Sequence, residues 1–127
     1  MMHVMVVDDE ADIQLLFQQH FRRELRGGEL TFHFAFSGDE ALRRAAGELG
    51  ADLVLILSDI NMPGMSGLEL LRAIKGHRPD LPVFMITAYD DESTYREVME
   101  IGADDYIAKP IDFQSLKQKM LAIRNRA

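Results

Sequence analysis

No cysteine occurs among the 127 residues. Disulfides, a thiolate nucleophile and a thiolate zinc site are therefore excluded. Long hydrophobic runs are missing as well: the longest, Leu53 to Leu57, is far too short to cross a bilayer. The opening Met1-Met2-His3-Val4-Met5-Val6-Val7 meets Asp8 and Asp9 at once and lacks the basic start of a signal peptide. A cytoplasmic setting is the expectation. Positive charge is also in short supply, with 14 Lys and Arg against 21 Asp and Glu for a net −7. That balance disfavours non-specific contact with nucleic acid or anionic lipid. What is present, 47% hydrophobic and 28% charged residues, suits one globular domain over residues 1–127 with a real core.

The acidity is not one tail. It falls in short groups, Asp8-Asp9-Glu10, Asp90-Asp91-Glu92 and Asp104-Asp105, between apolar segments. Most groups of this kind are solvated turns or helix starts, so position along the fold must single out any that differs. The apolar runs are His3–Val7, Thr31–Phe36, Leu53–Leu57, Pro82–Thr87 and Asp105–Ala108. Between them lie segments with apolar residues at three-to-four spacing, as in amphipathic helices. Ile13, Leu16, Phe17, Phe21 and Leu25 mark the first, and Ala41, Leu42, Ala45, Ala46 and Leu49 the second. Leu68, Leu71 and Ile74 mark the third; Phe113, Leu116, Met120 and Ile123 mark the last. Ser37-Gly38-Asp39-Glu40 and Ser66-Gly67-Leu68-Glu69 read as capping boxes. The segment Asp91–Ile101 has a thin apolar stripe, with Tyr95, Val98 and Met99 as inward candidates and Gly102 as a stop.

Strict βα alternation, five times over, implies an α/β fold with a parallel sheet covered by helices on both faces. Leu53–Leu57 is apolar without alternation and reads as a central strand. Thr31–Phe36 alternates, with Phe32, Phe34 and Phe36 on one face, and reads as an edge strand.

In such a sheet the C-terminal strand ends form one rim, where ligands bind. The first run delivers Asp8 and Asp9 to it, the third Asp59, the fourth Thr87 and the fifth Lys109. Carboxylates gathered so closely raise each other's pKa unless a cation neutralises them. A hard divalent ion with oxygen ligands, Mg²⁺ with Mn²⁺ as an alternative, fits that set better than a calcium cage. The four histidines, His3, His20, His33 and His77, lie on separate elements and read as ordinary surface or partly buried residues. Metal and Lys109 could neutralise the oxygens of a transferring phosphoryl group. An aspartate can itself be the nucleophile and form an aspartyl phosphate, and Thr87 could hydrogen-bond a phosphoryl oxygen.

Four segments carry a specific resemblance. Val6-Val7-Asp8-Asp9-Glu10, Ser58-Asp59-Ile60-Asn61-Met62-Pro63-Gly64-Met65-Ser66-Gly67, Ile86-Thr87-Ala88 and Tyr106-Ile107-Ala108-Lys109-Pro110 stand in order on successive strand ends. In this the chain resembles the receiver domains of response regulators in two-component signalling, including the single-domain chemotaxis type. The resemblance implies a flavodoxin-like strand order 2-1-3-4-5. It implies Asp59 as phosphoacceptor, Asp8 and Asp9 as holders of Mg²⁺ with Asp9 favoured as direct ligand, and the Asn61 carbonyl as a further ligand. Lys109 would pair with a phosphoryl oxygen, its bond to Pro110 being cis and setting its aim. Thr87 and Tyr106 would form a switch pair. A histidine kinase or phosphotransfer protein would be the donor, and an effector protein or output domain the reader. Without the motif, Tyr106 reads as an edge-strand aromatic.

One departure is the stretch from Asp52 to Asp59, two residues longer than in many family members. An even insertion keeps strand parity, so it is expected to lengthen the strand at its start or leave a bulge, with Asp59 still on the rim. Other functions compete. A phosphohydrolase using an aspartyl phosphate would need a second acid soon after the nucleophile, and Asp59 is followed by Ile60-Asn61-Met62-Pro63. A pseudo-receiver would not need the full set Asp8, Asp9, Asp59, Thr87 and Lys109. A flavodoxin-like cofactor binder would need a hydroxyl-rich phosphate loop, and no such loop and no tryptophan is found. The last residues, Arg124-Asn125-Arg126-Ala127, leave open a stand-alone regulator or the receiver part of a longer protein.

Overall fold

The computed structural model describes residues 1–88 and 91–125. Asp90 of the second acidic group and the terminal Arg126-Ala127 lie outside them. Five parallel strands, β1 (Met2–Val7), β2 (Leu30–Ala35), β3 (Leu53–Asp59), β4 (Val83–Thr87) and β5 (Asp105–Ala108), form one sheet in the order β2-β1-β3-β4-β5. Helices α1 (Ala11–His20), α2 (Arg22–Arg26), α3 (Gly38–Ala46), α4 (Gly67–His77), α5 (Glu92–Ile101) and α6 (Phe113–Arg124) connect and cover it. The doubly wound topology and its strand order agree with the reading of the sequence.

Burial explains why these strands sit where they do. All five residues of β4 are buried, and β1 and β3 are buried apart from His3 and Val54. Strands with apolar side chains on both faces need cover on both. On one face Met5, Ile56 and Met85 pack with Ala41 of α3, Leu71 of α4 and Val98 of α5. On the other, Val4, Leu57 and Phe84 pack with Phe17 of α1 and Leu116 of α6. At the sheet edges β2 and β5 are largely half-buried.

Local departures have physical causes. The first apolar periodicity is not one helix, because the backbone leaves helical angles at Phe21 (φ −110°, ψ 19°) and re-enters them in α2. The Phe21 ring is buried among Phe17, Phe32 and Phe113, so the apolar spacing continues across a break that periodicity does not register. Leu16, expected inward, is 40% exposed. Strand β2 ends at Ala35, one residue early, because the Phe36 N–H is drawn to Glu40 Oε1 (2.7 Å) as Ser37 caps α3. Phe36 is exposed. The helix expected through Leu49 stops at Ala46, and a 3₁₀ turn covers Glu48–Ala51. Ser66 and Glu69 make a full reciprocal capping box at the start of α4.

One residue of the longer approach to Asp59 is taken up by a bulge, which breaks the in/out parity at the start of the strand instead of keeping it. The β1–β3 register moves from His3 opposite Leu53 to Val4 opposite Leu55, leaving Val54 as the extra residue. Leu53 and Leu55, two apart, therefore enter opposite core faces. On α5 only Val98 is fully buried; Tyr95 is 48% and Met99 36% exposed, so two of its three inward candidates face solvent. Among the described residues no helix is long and apolar enough to cross a membrane.

Candidate functional site

The site is built at the C-terminal ends of β1, β3, β4 and β5. Asp8 leaves β1 with its N–H donated to the Ala35 carbonyl (3.1 Å), and its Oδ1 accepts the Glu10 N–H at 2.9 Å. That turn contact orients the carboxylate, leaving Oδ2 facing Lys109 Nζ at 3.3 Å. Asp59 ends β3 and is 6% exposed, as is Asp8; Asp9 is exposed. The Ile60 N–H donates to the Ile86 carbonyl (3.1 Å), which ties the end of β3 to β4.

Lys109 Nζ lies 3.6 Å from Asp59 Oδ1, so one ammonium serves both buried carboxylates. The Lys109 N–H donates to the Thr87 carbonyl at 2.8 Å, carrying the β4–β5 pairing to the point where the lysine leaves the sheet. The Lys109–Pro110 peptide bond is cis. Thr87 is fully buried at the end of β4. Tyr106 is half-buried on β5, with its ring edge-on to Tyr95 at 5.4 Å between centroids. Asn61 is exposed in the β3–α4 connection.

One oxygen each from Asp8, Asp9 and Asp59 fall within 4.8 Å of one another. Burial raises the Asp59 pKa above the usual carboxylate range, and the Asp8 charge raises it further. Lys109 and the Ile60 N–H pull against that rise, and Asp9 adds a smaller push. For Lys109 burial acts to lower the pKa, but Asp59 and Asp8 outweigh it and hold the ammonium above the ordinary lysine value. Carboxylates outnumber ammonium here, and the excess negative charge attracts a cation. All three donors are hard carboxylate oxygens, the set that suits Mg²⁺.

One contributor was not picked out from the sequence. Gly67 opens α4, donates its N–H to the Ile60 carbonyl (2.7 Å), and comes so close to β3 that a Cβ would lie 2.1 Å from the Asp59 carbonyl oxygen. Its place in a capping box disguised this, because the box accounts for Ser66 and Glu69 but not for the residue between them that touches the strand.

A family model described as the response regulator receiver domain matches residues 4–121. The chain belongs to the receiver domain family. Receiver relatives share its length unevenly. ResD of Bacillus subtilis, a transcriptional regulatory protein, is 36% identical over 98% of this chain and 48% of its own length. A cyclic di-GMP phosphodiesterase of Thermotoga maritima is 35% identical over 98% of this chain and 32% of its own. The chain thus spans 32% to 48% of the length of these two curated relatives. Among solved structures, a chain of the CheX–CheY–BeF3–Mg²⁺ complex from Borrelia burgdorferi superposes with a TM-score of 0.85 at 25% identity. The match covers 96% of this chain and 88% of that one.

Proposed function

We propose that this receiver is a phosphorylation-dependent response regulator domain. Asp59 takes a phosphoryl group from a histidine kinase or a phosphotransfer protein in the cytoplasm, and a signalling surface changes in response. The observation that carries this reading is Asp59 itself: a buried carboxylate at a strand end, 3.6 Å from an ammonium and grouped with two further carboxylates. Asp8, Asp9, Asp59 and the Asn61 carbonyl would hold Mg²⁺, or Mn²⁺ in its place. The metal, when bound, supplies positive charge against the oxygens of the transferring group. The Borrelia complex, which holds Mg²⁺, supports that choice.

In the transfer, an Asp59 carboxylate oxygen forms a bond to phosphorus as the bond to the donor imidazole nitrogen breaks. The imidazole keeps the electron pair and is protonated. Lys109 balances the phosphoryl charge, and the Thr87 hydroxyl donates to a phosphoryl oxygen. Tyr106 then rotates inward and alters the surface it shares with α5. An effector protein or output domain reads that surface; this domain contacts neither nucleic acid nor membrane. It acts on no separate substrate and catalyses only its own phosphorylation and dephosphorylation.

The test is incubation with acetyl phosphate and Mg²⁺. One hydroxylamine-labile phosphoryl group per chain is expected, none on Asp59→Asn, and Mg²⁺ binding and labelling lost together in Asp9→Ala. Robust labelling of Asp59→Asn would overturn the assignment.

A further inference from the structure

Away from the acidic rim, two imidazoles face each other across neighbouring strands. His3 stands near the start of β1, at the far end of that strand from Asp8, and His33 lies in β2. His3 Nδ1 is 3.0 Å from His33 Nε2, with the ring centroids 5.3 Å apart. The two side chains are diagonal neighbours, since His3 pairs in register with Thr31 and Met5 with His33. Both are half-buried, so the sheet fixes the contact while protons still reach it from solvent. Strand β2 is an edge strand paired with β1 alone. A side-chain tie between these two strands therefore bears on whether the edge stays closed.

A nitrogen–nitrogen contact of this length is a hydrogen bond, and it needs one ring to donate and the other to accept. Neutral imidazole does either, according to its tautomer. With one ring charged the bond survives, because the cation donates to its neutral partner. With both charged, each facing nitrogen carries a hydrogen and neither can accept. Two cations at contact distance then replace the bond. Protons therefore load the pair in coupled steps, and only the second charge opens it. The surroundings add to that second cost. Burial holds the His33 pKa below the ordinary histidine value, and the His3 charge lowers it further. The guanidinium of Arg44 on α3, which donates to the Phe34 carbonyl, acts in the same direction. Asp52, at the entry to β3, pulls the other way with the least effect of the four.

We propose that the His3–His33 pair is a proton-operated latch on the edge strand, holding β2 to β1 while at most one ring is charged and releasing it when both are. The latch is separate from the acidic rim and independent of its chemistry. In the unfolded chain both histidines take up protons near the ordinary value of about 6.5. The folded pair resists the second proton. The stability the latch contributes is thus complete above the unfolded value and is lost as pH falls from there through the lower folded one.

The test replaces the latch by one that does not titrate. The double variant His3→Asn, His33→Gln sets amide groups near the positions of Nδ1 and Nε2, so a hydrogen bond can persist without an ionising ring. Denaturant midpoints of parent and double variant are compared from about pH 7.5 down to about pH 5, a range that brackets the ordinary histidine value. Below about pH 6.5 the parent's folding equilibrium should weaken by up to about tenfold per pH unit beyond any change in the double variant. In the parent, amide protection in β2 should fall before that in β4. Nitrogen NMR of the rings should show His33 protonating at lower pH in the folded protein than in urea. That measurement needs no variant, and it decides the matter if the double variant does not fold. Equal pH dependence in parent and double variant, or a His33 ring that protonates as readily folded as in urea, would overturn the proposal.

Discussion

Gly67 and Asp59 are in such close contact that no side chain fits between them: a Cβ on Gly67 would stand 2.1 Å from the Asp59 carbonyl oxygen and 2.7 Å from Ile60 Cα. The obstacle is backbone, so it cannot swing aside. The N-terminus of α4 or the end of β3 must move, and with it the carboxylate that β3 presents.

Gly67→Ala should therefore destabilise the fold by about 2 kcal/mol or more, the cost of overpacking against an unyielding neighbour. It should also lower labelling by acetyl phosphate well below that of the parent, because Asp59 is displaced from Lys109. Melting curves and labelling on the same preparation check both. An alanine variant with parental stability and labelling would show that the approach can relax without cost.

The charge at Asp59 makes a thermodynamic prediction. Carboxylate oxygens within 4.8 Å of one another repel by roughly 3 kcal/mol at an effective dielectric near 20. Lys109 and solvent offset part of that, leaving roughly 1–2 kcal/mol of net penalty. In chelator at neutral pH, Asp59→Asn should melt several degrees above the parent. The raised Asp59 pKa gives the sign with pH. Relative to the unfolded chain the folded state favours the protonated acid, so the penalty is complete above the folded pKa and fades as pH falls through it. The gap should close toward acid, and Mg²⁺ should narrow it at neutral pH by stabilising the parent more. A mutant that melts lower would mean that Asp59 is held by favourable partners.

A third prediction concerns the relay. Phosphorylation should shift backbone NMR signals of α5 and of residues 105–113 more than those of α1. The single fully buried residue of α5, Val98, leaves that helix lightly anchored. Thr87→Ala should still accept phosphate but show much smaller shifts, since a population shift requires the phosphoryl group to contact the two states differently. Equal shifts in both proteins would place the relay elsewhere.

A fourth prediction is purely structural. Asp104 Oδ2 accepts from both Lys75 Nζ and the Val83 N–H at 2.8 Å, while Lys75 also donates to the Leu81 carbonyl. This joint pins α4 and the α5–β5 connection to the start of β4. Asp104→Ala should cost about 1–3 kcal/mol because it strands the Val83 backbone donor and breaks the Lys75 ion pair, while Lys75 keeps the Leu81 carbonyl. Asp104→Asn, which keeps the acceptor, should cost less. Denaturant midpoints at unchanged slope decide it.

The sequence by itself determined the order of elements, the parallel sheet and the rim set Asp8, Asp9, Asp59, Thr87 and Lys109. These follow from local periodicity, and the strand-end rule turns position along the chain into position in space. Tertiary structure alone decided the rest. The Phe21 break, the bulge at Val54, the approach of Gly67 to Asp59 and the meeting of His3 with His33 each depend on residues brought together from different elements. Periodicity reports which side a residue faces, not what stands opposite it. A glycine between two capping residues, or a histidine on each of two strands, has no local signature until packing sets the distance between them.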